Sequence, residues 1–336
     1  MILVTGGTGL VGSHLLFSLL KEGKRVRALK RESSNLNNVL KVFSYYDDNA
    51  QLLFDKIEWN DVDLSDITDL KRVFDDVEEV FHCAAMISFY PQDASKMIRY
   101  NPLITANLVN ASLEFRVKKF CFVSSVAALS KRKNELTNES NIWKDDPDNT
   151  SYAISKYLSE MEVWRGVEEG LKAVIVNPCF ILGPGNWSAT TSTFFDRSYK
   201  GMRYYTEGTN AFVDVQDVVK VMVELMEKQM FGQRFILSSE NWKFKDFFTR
   251  VAKEFGVKAP YIKPSKWMIS IIWRAEWLRS RLFNTKPFIT KESAKSAQNL
   301  ISYDSGRIRE AIDFQFRPVE ESIKEYCQYY LDDLKV

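Results

Sequence analysis

A doubly wound parallel α/β sheet with a smaller, interleaved C-terminal α/β region is the fold this sequence predicts, on three observations. The chain opens on an apolar run, Ile2-Leu3-Val4, followed by a turn with glycines at 6, 9 and 12 and a helical apolar face at Leu15, Leu16 and Leu19. Strand-like runs then recur with helical stretches between them: RVRAL (25–29), KIEW (56–59), EEVFHCAA (78–85), KFCFVSS (119–125) and KAVIVNP (172–178). This alternation implies a parallel sheet covered by helices on both faces. After Pro178 the pattern changes to the polar loop GPGNWSATTSTFF and then to helices and short strands, while DVVKVMVELMEKQM (217–230) reads as a further helix on the sheet. The expected division is 1–177 plus 211–238 for the sheet domain and 178–210 plus 239–336 for the second region.

The opening turn points to a ligand. Between a strand and a helix, bare glycines let the backbone approach an anion, and the first helical N–H groups face it. A plain tight turn uses the same residues, but the position after the first strand and before a helix favours a dinucleotide pyrophosphate. In such sheets the ligand contacts come from strand ends and the loops that follow them.

Bulk properties exclude several classes. With 336 residues and 45% hydrophobic content, the chain can bury a large core. Lys+Arg 46 against Asp+Glu 44 leaves +2, no field that would attract nucleic acid. No uncharged apolar run is long enough for a transmembrane segment, and Met1 lies almost inside the first strand, leaving no room for a signal peptide. A cytoplasmic location is expected, and a homodimer is compatible with these features. Cys83, Cys121, Cys179 and Cys327 form no CxxC pair, which argues against zinc or a disulfide framework; three of them fall in or beside strands as small apolar filler. With only His14 and His82, neither a histidine metal site nor a Ser-His-Asp triad is expected.

One segment differs in composition. KWMISIIWRAEWLRSRLF (266–283) carries Trp267, Trp273, Trp277 and Phe283, with Ile269, Ile272, Trp273, Trp277 and Leu278 at helical spacing. A basic amphipathic helix can lie on a membrane surface. Packing on its own domain is the commoner fate and is the expectation here.

Tyr152 and Lys156, in TSYAISKYLSE, stand one helical turn apart on one face. A phenol titrates near ~10 in water, and a neighbouring ammonium would bring it closer to neutrality. Ser125 follows an apolar strand, which places a hydroxyl at the carboxyl edge of the sheet. In the order TGGTGLVG, DVDLSD, HCAA, NPLITAN, SSVAAL, YAISK, NPCFILGPG and FVDVQDV, the chain resembles the extended short-chain dehydrogenase/reductase family, of Rossmann type, also described as the NAD-dependent epimerase/dehydratase superfamily. The resemblance implies that Ser125, Tyr152 and Lys156 are the catalytic trio, with Tyr152 exchanging the proton, Ser125 bonding the carbonyl oxygen and Lys156 binding the nicotinamide ribose and tuning Tyr152. It places Gly6, Thr8, Gly9, Leu10, Val11 and Gly12 at the cofactor phosphates, Asp63 and Leu64 at the adenine, and Cys83, Ala84 and Ala85 along the cofactor. Ser124, Pro178 and Ile181 join these contacts; Asn101 fits the family's asparagine, as a cofactor contact or as a structural bond to backbone.

Two departures matter. Leu129-Ser130 stands where the family often has Tyr-Gly. At the end of the second strand, where NAD-preferring members place a carboxylate, stand Lys30 and Arg31, which suit the 2′-phosphate of NADP; a solvated basic loop is the alternative. NADP is therefore the expected cofactor, with NAD second. On the substrate side, Phe180 and Asn210 occupy the positions of the asparagine and arginine that hold a sugar-nucleotide diphosphate in the family's epimerases. NPCFILGP and VRALKR instead resemble dihydroflavonol reductases and cinnamoyl-CoA reductases. Met86, Phe89, Leu129, Trp187, Phe194 and Phe195 are available for an apolar or aromatic small-molecule substrate, though each could equally be core. The expected activity is carbonyl reduction; the alternatives are a sugar epimerase or dehydratase and a cofactor-binding regulator without turnover.

Overall fold

The computed structural model describes every residue except 89, 132–134, 284–289 and 336. Its strands are β1 (Ile2–Thr5), β2 (Val26–Lys30), β3 (Glu58–Asp61), β4 (Glu79–His82), β5 (Lys119–Val123), β6 (Leu136–Thr137), β7 (Ala173–Pro178), β8 (Phe180–Leu182), β9 (Thr209–Asp214), β10 (Gln233–Leu237), β11 (Glu240–Lys243) and β12 (Ser302–Tyr303). Seven of them form one sheet in the order β10-β7-β5-β4-β1-β2-β3, with every neighbouring pair parallel. The sheet is a Rossmann-type α/β fold. The chain runs outward from β1 through β2 to β3, then returns to β4 on the other side of β1. The crevice at the carboxyl ends of β1 and β4 is thus the point where strand order reverses.

Successive side chains of a strand point to opposite faces, and here both faces are covered. Val4, Ala28, Phe81, Cys121 and Val174 pack in one core cluster with residues of the helices Leu10–Lys21 and Val215–Glu227. Leu3, Leu29, Val80, Phe120 and Ile175 pack in the other, with Ile104, Leu108 and Val163 of the helices Ala94–Glu114 and Ser151–Glu168.

The second region is built on a three-stranded sheet in which β9 lies between β8 and β11, parallel to the first and antiparallel to the second. Its core is aromatic: Phe195, Phe212, Phe244, Phe247 and Tyr326 are all buried in one cluster. The expected division between the regions needs correction here. Residues 211–214 belong to β9 and so to the small sheet, and the chain rejoins the main sheet only through the helix Val215–Glu227 and β10. In addition, β6 pairs with β12, joining the first part of the chain to its last third.

Asp214 explains how β9 ends and the return begins. Its carboxylate caps the helix Val215–Glu227 by accepting from the Gln216 N–H, and it also accepts from Ser322 Oγ and the Tyr326 phenol. The C-terminal helix Val319–Asp333 is thereby tied to the junction.

The helix Lys266–Phe283 forms as expected, but its packing on the domain is only partial. None of residues 267–282 is buried. The core of the small region is already filled from the helices Phe244–Glu254 and Val319–Asp333, so this helix rests mainly against the short helix Lys291–Ser296.

Candidate active site

The glycine turn after β1 is shaped by two close approaches. Gly6 has φ +69°, and a Cβ there would lie 2.7 Å from the Ala84 nitrogen, in the segment after β4. A Cβ on Gly12 would lie 2.1 Å from the Gly6 carbonyl oxygen. The first helical turn is therefore pressed against the strand end, which only residues without side chains allow. Gly9 is the N-cap of the helix Leu10–Lys21, with no side chain bonding its first N–H groups, while Thr8, Leu10 and Val11 are partly exposed around it. A pyrophosphate approaching here meets backbone at Gly6, Gly9 and Gly12, so the residues fit a dinucleotide.

Beside this turn, Thr5 Oγ1 bonds His82 Nδ1 at 2.8 Å, and His82 Nε2 lies 3.0 Å from Thr105 Oγ1. Burial lowers the His82 pKa to about 3, so the ring is neutral and serves as a fixed link between β1, β4 and the helix Ala94–Glu114. Cys83, Ala84 and Ala85 follow at partial exposure. Burial pushes the Cys83 thiol up to about 12, so it stays protonated through the neutral range.

Ser125 lies just past β5 as the N-cap of a short 3₁₀ turn, its Oγ accepting from the Ala127 N–H. Tyr152 and Lys156 lie on the helix Ser151–Glu168, whose first turn is capped by Thr150 Oγ1 accepting from the Ala153 N–H. The Tyr152 phenol hydrogen-bonds the Ser125 side chain. The structure thus brings the two hydroxyls together. Burial raises the Tyr152 pKa, more than the Ser125 bond lowers it; this differs from the expected lowering by Lys156. The reason is where the ammonium points: Lys156 Nζ donates to the Val123 carbonyl at 2.8 Å and sits over the Phe122 ring. Burial lowers Lys156 itself to about 8, partly opposed by Cys83 and Glu160.

Beneath the trio lies a polar network that sequence reasoning missed. Glu160 is fully buried and accepts from Ser124 Oγ at 2.8 Å, Asn177 Nδ2 at 3.0 Å and Arg234 Nη1 at 2.9 Å. Asn177 Nδ2 also donates to the Ser125 carbonyl at 3.0 Å. The available signal was the spacing: Glu160 repeats the Tyr152–Lys156 interval one turn further along the helix.

Several of the expected contact residues are engaged within the chain. Ser124 donates its hydroxyl to Glu160, and Leu64 buries its side chain in the core while its carbonyl accepts from Asn107 Nδ2 at 2.9 Å. Asn101 is buried, with Nδ2 donating to the Met86 carbonyl and to Ser155 Oγ and Oδ1 accepting from the Met86 N–H. Its amide holds the segment after β4 against the Tyr152 helix, the structural bond to backbone that is one of the two readings of this residue. Lys30 is not available in the way expected: its Nζ pairs with Asp61 at 2.5 Å, at the end of the adjacent β3. Arg31 is exposed one residue beyond. Asp63 accepts from the Ser65 N–H and Oγ, which hold its carboxyl below the usual range. Pro178 ends β7, and Ile181 lies in β8 at partial exposure.

Among the residues considered for substrate, Leu129 and Phe195 are core and Phe89 lies outside the described residues. Trp187 donates Nε1–H to Asp333 at 2.5 Å, and Met86 and Phe194 are partly exposed. Phe180 packs among Phe194, Phe212 and Phe244 at 5.7–5.8 Å between ring centroids. The Asn210 side-chain oxygen accepts from the Ala211 N–H.

Comparison with known proteins agrees with this architecture. The model of the NAD dependent epimerase/dehydratase family matches residues 2–236. A Synechocystis sp. protein provisionally named dihydroflavonol 4-reductase is 27% identical, covering 97% of this chain and 93% of its own. Tetraketide alpha-pyrone reductase 2 of Arabidopsis thaliana is 32% identical over 70% of this chain and 77% of its own. Among solved structures, that of gox2253 is 29% identical with a TM-score of 0.81, covering 99% of this chain and 98% of that one. A UDP-glucose 4-epimerase of Thermotoga maritima, solved with UDP-glucose, shares the fold at 21% identity, a TM-score of 0.76 and 99% coverage of both chains. The chain belongs to the NAD dependent epimerase/dehydratase family and is an NAD(P)-dependent oxidoreductase of the extended short-chain dehydrogenase/reductase type.

The close approach at Gly12 gives a direct test. Gly12→Ala forces the turn apart, and we expect a loss of about 1–3 kcal/mol in urea unfolding. Calorimetric affinity for nicotinamide dinucleotides should fall at least about tenfold, a change of ~1.4 kcal/mol. Unchanged affinity would contradict a backbone cradle at this turn.

Proposed function

We propose that the protein is an NADP-dependent reductase of carbonyl groups on apolar or aromatic small molecules, like the dihydroflavonol 4-reductase branch of its family. The observation that carries the reading is the substrate side. Phe180 is part of an aromatic cluster and carries no donor, and Asn210, whose side-chain oxygen accepts from the Ala211 N–H, brings no cationic guanidinium, so the pair of anion contacts that a nucleotide diphosphate requires is missing. Burying a diphosphate without those partners costs several kcal/mol, whereas an aromatic wall favours a ring. The names of the reductase relatives support the same reading.

The nicotinamide, when bound, supplies or takes up the hydride. The chain's residues handle the oxygen and its proton. The bond between them sets the Ser125 and Tyr152 hydroxyls side by side, and a carbonyl oxygen that reached both would accept two hydrogen bonds. Because burial raises its pKa, Tyr152 keeps its proton through the neutral range and can deliver it as the oxygen gains charge. The Lys156 ammonium, held on the Val123 carbonyl one turn away, would bond the nicotinamide ribose rather than the phenol. With Lys156 near 8, most molecules carry that charge at pH 7 and lose it as pH rises through that value.

The Lys30–Asp61 pair bears on the proposed preference for NADP. Since Lys30 is already neutralised, Arg31 is the residue proposed to select the 2′-phosphate, through a charge-assisted bond of roughly 1.5–3 kcal/mol. Arg31→Ser should weaken NADPH at least about tenfold and leave NADH nearly unchanged, while Lys30→Met should have the smaller effect. Tighter binding of NADH than NADPH by the unmodified protein would refute NADP selection.

The substrate class is tested by calorimetry with UDP- and dTDP-sugars beside a panel of hydrophobic aldehydes and ketones assayed by NADPH oxidation. The nucleotide sugars should bind no tighter than the millimolar range, about −4 kcal/mol, and some carbonyl compounds should turn over. Micromolar binding of any nucleotide sugar would favour the sugar epimerase or dehydratase reading.

A further inference from the structure

Helix Lys266–Phe283 carries an apolar stripe that its own fold leaves uncovered. Trp267, Ile271, Leu278 and Leu282 are 66%, 55%, 51% and 69% exposed. At ~100° per residue these four fall within about 60° of one another around the helix axis. Arg274 and Arg281 border one edge of the stripe and Arg279 the other. Arg274 lies over the Trp273 ring and Arg281 over the Trp277 ring, so both cations lie against aromatic surface. Across its length the helix holds four basic residues and one acidic, Glu276. The less exposed residues Ile269, Ile272 and Trp273 occupy a different side, so partial packing of the helix does not use the stripe.

We propose that this helix docks the protein in-plane on an anionic lipid bilayer surface. An apolar stripe edged by arginine and tryptophan suits the boundary between acyl chains and headgroups, where rings and cationic side chains both find partners. Among the described residues no helix is long and apolar enough to cross a membrane, which fits a helix that lies on the surface. Charge selects between occupants. A second copy presenting the same helix would bring net positive charge against net positive charge, whereas an anionic bilayer supplies the complement. The approach to the helix has the same character: Tyr261 is exposed with Lys258 at 4.0 Å from its ring, and exposed Tyr204 bridges to the neighbouring Ile262. Beyond the helix, Lys295 pairs with Asp148, two residues before the cap of the Tyr152 helix. The docked face is therefore connected to the loop that leads into the candidate active site.

The test is sedimentation of the full chain with vesicles of pure phosphatidylcholine and of equal parts phosphatidylcholine and phosphatidylglycerol. Partition to the anionic vesicles should exceed that to neutral ones by roughly a hundredfold at low salt, the weight of three net charges at such a surface, and should fall as salt rises. The double variant Ile271→Glu, Leu278→Glu, at exposed positions, should keep its melting temperature and lose at least about tenfold of that partition, beyond what two added acidic charges alone would do when placed at Leu52→Glu, Leu136→Glu instead. Absence of the wild-type protein from both vesicle pellets would overturn the proposal. So would unaltered binding by the stripe variant. A dimer in light scattering that the same substitutions dissociate, with no vesicle binding, would assign the stripe to a second copy.

Discussion

The arrangement of the candidate site depends on one buried carboxylate. Glu160 holds Ser124 beyond β5, Asn177 in β7 and Arg234 in β10, and it belongs to the helix that carries Tyr152 and Lys156. A single group thus fastens three neighbouring parallel strands to the helix on their face. Through Asn177 the fastening reaches the backbone of Ser125. A buried ion pair is weak evidence for net stability, yet removing one member typically costs 3–5 kcal/mol because the other is left buried and unpaired. The geometry of the two hydroxyls is therefore coupled to the integrity of the sheet beneath them.

A second junction performs the same task for the small region. Asp214 joins the end of β9, the start of the helix Val215–Glu227 and the C-terminal helix in one set of hydrogen bonds. Burial raises Tyr326 well above its ordinary pKa, and Asp214 adds to the shift, so this phenol acts as a donor throughout the usual range. The aromatic cluster around Phe180 shares Tyr326 with this junction's core.

The nucleotide half of the molecule was legible because its constraints are local. A strand followed by glycines at 6, 9 and 12 can hardly fold otherwise, and Cβ atoms at Gly6 and Gly12 would strike backbone. The Tyr152–Lys156 spacing fixes a shared helix face. Long-range pairings were not legible: neither the Lys30–Asp61 ion pair nor the use of Asn101 by Met86 and Ser155 leaves a mark in local sequence. The sheet membership of β9 and the exposure of the Trp267 stripe likewise depend on which elements fill the small core, and periodicity carries no information on that.

The central claim is that Ser125 and Tyr152 manage the oxygen of a carbonyl whose carbon gains hydride for good. It is tested most directly with NADPH deuterated at the transferred position and a carbonyl substrate found by the screen, followed by mass spectrometry of the product. The account predicts one deuterium on the new carbinol carbon with the wild-type protein. It also predicts loss of several orders of magnitude in rate with Tyr152→Phe, whose cofactor affinity and melting temperature stay close to normal. Near-normal turnover by that variant, or a product whose carbinol carbon carries no deuterium, would contradict it.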